Sequence, residues 1–183
     1  MSVLAAIVLG LSLTQTLTGI AQIARQPERL SAFLPHTLWV ISLLLLHFLL
    51  WWSIWDLRDL EWNYARFIVL ISLPLILFFL ASVVLPRGLA GEAPDLKAYF
   101  FQVRFWLMSG FALMNLIYML DGPIVFDSEP LLLGYRIPQG LSLMAVLVGT
   151  RTEKPGTHLI IALIVLATIL TGSVVRFLPG AFS

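Results

Sequence analysis

Uncharged stretches long enough to cross a lipid bilayer recur along this chain, and they limit its fold more than any motif does. A hydrocarbon core about 30 Å thick needs about 20 apolar residues of helix. Six candidates stand between the charges. The first covers residues 2–24 and is closed by Arg25. The second lies between Arg29 and Asp56, with the span proper at about 36–55. The third runs from Phe67 to Pro86, bounded by Arg66 and Arg87. The fourth runs from Ala98 to Leu120, with Arg104 inside its first turns. The fifth falls within 130–150 and is irregular. The sixth runs from Thr157 to Val175 and is closed by Arg176.

Composition agrees. Apolar types make up 60% of the 183 residues and charged types 11%. Soluble domains hold about 45–50% and about 25%. A soluble chain this apolar would lack a surface that water can wet, so lipid must be its solvent. The expected fold is all-α: one polytopic transmembrane helical domain over 1–183, with about six spans. The N-terminus lacks the positive region of a signal peptide and its apolar stretch is longer than a typical signal core, so the first span is read as retained. No lipidation motif is present. The lipid bilayer is the expected environment.

Net charge is +1 with no basic patch, so nucleic acid is not an expected partner. The absence of cysteine excludes disulfides, thiolate metal sites and cysteine nucleophiles.

The connections are short and carry ordinary punctuation. Asp95 is placed to cap span four, Asp121-Gly122-Pro123 to stop it, and Pro155-Gly156 to open span six. Pro74, about two turns into span three, should remove a backbone hydrogen bond and kink that helix.

Basic residues set the expected orientation. With six spans, loops one, three and five share a side and hold Arg25, Arg29, Arg87, Lys97, Arg104, Arg151 and Lys154. The other side holds Arg58, Arg66, Arg136 and Arg176. Odd loops are therefore expected in the cytoplasm and both termini outside. The outer side also carries Asp56, Asp59, Glu61, Asp121, Asp127 and Glu129, which leave it net negative. Trp51, Trp52, Trp55 and Trp62 flank this acidic rim, as an interfacial aromatic belt does; a stacking platform for a base or quinone is the alternative.

Polar groups inside hydrocarbon mark the candidate site residues. Gln15, Gly19 and Gln22 fall at helical spacing in span one, beside Thr14 and Thr18. They suit either close helix packing or the lining of a solute path. His47, mid-way along span two, can relay protons, ligate a metal or haem, or hydrogen-bond to a facing side chain. The only other histidines, His36 and His158, lie near the opposite border, so no axial pair with His47 forms. No H-E-x-x-H pattern exists, and no cofactor is expected. Asn115 and Tyr118 share a face that Asp121 extends to the outer border, as at the mouth of a cation path or at a capped helix end. Arg104 is near enough to its border to reach the headgroups.

Residues 137–150 are too few to cross, and extending the segment backward brings in Gly134, Arg136 and Pro138. Two helical pieces interrupted at Gly134–Pro138 are expected, or else a short re-entrant helix. Arg136 would face an anion or a carboxylate such as Asp121 or Asp127, with Gln139 beside it. Broken helices of this kind often bind the substrate in transporters.

The run Trp51-Trp52-Ser53-Ile54-Trp55-Asp56-Leu57-Arg58-Asp59, followed by Trp62-Asn63-Tyr64, Phe67, Pro74-Leu75 and Phe78, resembles a run in small uncharacterised multi-pass proteins of the bacterial inner membrane. The likeness is best over 1–86 and implies that location but no activity.

Three classes of function remain. One is a small channel or transporter for an ion or small solute, acting as a homo-oligomer because one small chain forms a pore poorly. Its six spans divide into three and an inverted three, although 1–86 and 98–178 share no visible similarity. Another is an accessory subunit, whose polar groups would pair with a membrane-protein partner. The third is an intramembrane redox protein or enzyme. No paired carboxylates, nucleophile–base set or haem pair supports that class, so an enzyme is not expected.

Overall fold

A computed structural model describes residues 2–25, 33–56, 61–86, 95–125 and 133–177. They form six helices and, among the described residues, no strand: α1 Ser2–Ala24, α2 Leu34–Asp56, α3 Tyr64–Val84, α4 Leu96–Val125, α5 Leu133–Gly149 and α6 Pro155–Phe177. Five are long and apolar enough to cross a membrane; α5 is the exception. This is the architecture of a multi-pass membrane protein, a helical bundle of about six spans.

Helix ends follow from local chemistry. Asn63 caps α3, its side chain accepting from the Arg66 N–H at 2.9 Å. Asp95 caps α4 as expected, accepting from the Lys97 N–H at 2.9 Å. The helix of α3 continues through Pro74.

Two proline expectations are corrected. Asp121-Gly122-Pro123 does not stop α4: the helix runs on to Val125. Pro123 lacks an N–H, so the Met119 carbonyl loses its intrahelical donor. Arg136 supplies the replacement, its Nη1 donating to that carbonyl at 2.9 Å. Nor is the fifth segment broken at Gly134–Pro138. It is one short helix of 17 residues with Pro138 inside it. Pro138 lies so near the start that only the first turn is deprived of a donor, and Thr168 Oγ1 ties Pro138 to α6 by donating to its carbonyl at 3.2 Å.

The order of packing is not the order of the chain. α1 lies along α3, α3 along α4, and α4, α5 and α6 follow in sequence; α6 then returns to α2. α2 sits within this ring and also touches α1, α3 and α4. Half of its span is buried, as suits a helix apolar all round. Trp39 of α2 meets Phe111 of α4 with ring centroids 4.5 Å apart, in a core shared with Leu43, Leu107 and Met108. The three-plus-three idea finds no support in this packing. α1 and α3 are close neighbours, whereas α4 and α6 make no comparable contact.

Side-chain links show that the helices alternate in direction. His36, at the start of α2, bonds the Val84 carbonyl at the end of α3 at 2.7 Å. Arg104, early in α4, pairs with Glu153 just before α6 at 2.7 Å. Arg136 joins the start of α5 to the end of α4. α4 has 30 residues, about 45 Å of helix, so its ends extend past a hydrocarbon core. The α5–α6 turn reaches α4 at Arg104, two turns in. Arg104 therefore meets a carboxylate at the border, where a headgroup was expected. Glu153 is 74% exposed, so the pair is screened and adds little stability.

The outside is as apolar as the inside. Ile7, Phe48, Leu75, Trp106, Leu141 and Leu163, one from each helix, are all exposed, as lipid contact requires. Trp51 and Trp52 are exposed on the last turns of α2 and Trp62 is partly buried just before α3. The side chains of Trp55 and Asp121, and all of Asp127, Glu129 and Pro130, lie outside the described residues.

Candidate functional site

The polar stripe of α1 packs against α3. Gln15 Nε2 donates to Ser82 Oγ at 2.7 Å. Gly19 is buried, and a Cβ there would fall 2.6 Å from Leu85 Cδ1, so only glycine permits this approach. Gln22 and Thr18 border a groove between α1 and Pro86. Gln15 and Gly19 line the same groove, so the stripe both packs on α3 and borders open space.

His47 is buried against α1. Its Nδ1 lies 2.7 Å from the Leu43 carbonyl one turn back, which makes Nδ1–H the donor. In neutral imidazole Nε2 is then an acceptor, and Ser12 Oγ–H donates to it across 2.7 Å. The facing side chain is a serine. Ser12→Ala is expected to lower stability by about 0.6–1 kcal/mol, the size of an interhelical hydrogen bond in a membrane. Chemical denaturation in micelles measures it, and a loss above about 2 kcal/mol would show that the pair does more than join two helices.

His36 and His158 bond separate backbone carbonyls, of Val84 and Thr152. His158 is enclosed by Phe100 and Phe101, ring centroids 5.0 and 5.4 Å away. Among the described residues no group of three His, Cys, Asp or Glu side chains forms a metal site.

What remains is a cavity of ≈ 70 Å³ between α2, α4, α5 and α6. It lies in the half of the bundle where α2, α4 and α6 end and α5 begins. Its volume holds about five waters at about 10–15 Å³ each. Six polar side chains line it: Ser53, Asn115, Tyr118, Gln139, Ser142 and Thr168. Leu46, Phe111 and Val165 are among its apolar walls. Beyond them, toward the other border, Trp39, Leu43, Leu107, Val146 and Ala162 are fully buried and close the bundle.

The polar groups here constrain one another. Asn115 Nδ2 donates to the Phe111 carbonyl at 3.1 Å and lies 3.4 Å from Ser142 Oγ. Thr168 Oγ1 donates to carbonyls of its own helix and of Pro138. Gln139 is 2% exposed. Its Nε2 makes a long contact, 3.5 Å, with the Asn115 carbonyl. That contact requires the nitrogen to face α4, which turns Oε1 away, and Gln139 Oε1 is buried without a hydrogen-bond partner. An unfilled acceptor in a membrane interior is costly.

Of the residues singled out in the sequence, the fold brings Asn115, Tyr118 and Gln139 to this cavity. It places Gln15, Gln22 and His47 elsewhere, and Arg136 one turn from Gln139 but bonded to Met119. Sequence reasoning missed Ser53, Ser142 and Thr168. Ser142 follows Gln139 by three residues and so shares its helical face, which was a readable signal. Thr168 had none, since a lone threonine in an apolar span can bond its own helix.

No protein-family model, curated protein or solved structure matches this chain.

Proposed function

We propose that this protein moves a small solute across the membrane, and that the cavity between α2, α4, α5 and α6 is where the solute binds. The observation that carries this reading is Gln139 Oε1, an acceptor held without a partner beside an intramembrane cavity large enough for a ligand. Closure of the bundle beyond Phe111 favours a carrier, which opens to one side at a time, over a continuous pore. The site is built within one chain, so an oligomer is not needed to complete it. The likeness over 1–86 favours the bacterial inner membrane as its place.

An accessory subunit would leave polar groups awaiting a foreign partner. Gln15 and His47 instead find partners inside the chain, which argues against that role for α1 and α2.

The test is flux in proteoliposomes, run for protons, potassium, chloride and a panel of small organic solutes. At least one member should cross, and its flux should fall about tenfold in Gln139→Leu, the effect of losing one polar contact. No crossing by any of them, or equal rates in a folded Gln139→Leu, would refute the assignment.

A further inference from the structure

Within that transport reading, we infer that the solute is a small uncharged hydrogen-bond donor of the polyol or amide class, with about six heavy atoms. Three features of the cavity lead there. Size is the first: space for about five waters admits a molecule of about that many heavy atoms and little more.

Charge is the second. None of the described residues lining the cavity is Asp, Glu, Lys, Arg or His. An ion entering this depth would meet no countercharge among the described residues, and isolated charge is strongly disfavoured there. Arg136 stands one turn before Gln139 on α5 and donates through Nη1 to the Met119 carbonyl, so it adds no negative charge to this end of the cavity.

Polarity of the unfilled atom is the third. Gln139 Oε1 is an acceptor without a partner, closed off in this state of the bundle, so a molecule that reaches it must offer an O–H or N–H. A simple anion such as chloride has no proton to offer and would meet the negative end of the amide. Tyr118, Asn115 and Ser142 stand near enough to engage a second polar group, while Leu46, Phe111 and Val165 cover a carbon skeleton. A few converging polar groups in an apolar pocket are the usual design for a neutral ligand.

The experiment uses the full chain in liposomes and follows volume change by stopped-flow light scattering, with glycerol, urea and the larger sorbitol as probes. Potassium, chloride and proton flux are measured on the same vesicles. Glycerol or urea should enter about tenfold or more faster than in protein-free vesicles, with sorbitol excluded. Gln139→Leu should abolish most of the gain, and Ser142→Ala serves as the second variant if Gln139→Leu fails to fold. Gln139-dependent ion flux without glycerol or urea entry would overturn the inference and leave the transport reading standing. Sorbitol entry as fast as glycerol would overturn it on size. Glycerol or urea entry unchanged in a folded variant would overturn the site. No flux of any probe would overturn both.

Discussion

Gly19→Leu should lower the free energy of unfolding in micelles by about 3 kcal/mol, the upper end of what overpacking costs. A Cβ at position 19 would lie 2.6 Å from Leu85 Cδ1, 2.8 Å from its Cβ and 2.9 Å from its Cγ. Rotating the Leu85 side chain relieves the first overlap but not the second, because Cβ moves only with the backbone. The helices must therefore separate. One turn away, Gln15 Nε2 and Ser82 Oγ are held at 2.7 Å, and separation breaks that bond too. α1 has few other attachments, since its span is the least buried of the five long ones. Leu85→Ala in the same chain should restore about half of the loss. Tryptophan fluorescence during denaturation reads both variants. A Gly19→Leu protein as stable as the parent would mean that α1 does not pack on α3 as described.

Arg136→Met should cost about 2 kcal/mol, within the range for a charged hydrogen bond whose buried partner is left unmatched. The reason lies in α4. Pro123 cannot donate to the Met119 carbonyl, so the guanidinium of another helix does so at 2.9 Å. A double-mutant cycle isolates this. In a Pro123→Ala background the carbonyl regains an N–H four residues on, and Arg136→Met should then cost about 1 kcal/mol or less. Equal losses in both backgrounds would show that Arg136 stabilises the fold by some other contact.

That dependence explains what the sequence could and could not disclose. Span limits were legible because hydrocarbon rejects charge: Arg25 follows the end of α1 directly. α5 was harder. A proline in the second turn of a short helix and a proline at a break look the same locally, and what holds Pro138 in a helix is partly Thr168, thirty residues later. Partners for the intramembrane polar groups were out of reach for a similar reason. Ser12, Ser82 and Thr168 carry hydroxyls that can bond the preceding turn of their own helix, so nothing local marks them as waiting for another. Which pairs meet depends on α1 lying beside α3, and hydropathy says nothing about neighbour order.

α5 has a consequence for the surrounding lipid. Over its 17 described residues, about 25 Å of helix, it packs chiefly on α4 and α6 and turns Leu141, Met144, Leu147 and Val148 outward. These side chains fall on successive turns of one flank. Acyl chains beside it therefore meet an unbroken apolar strip that water would not wet.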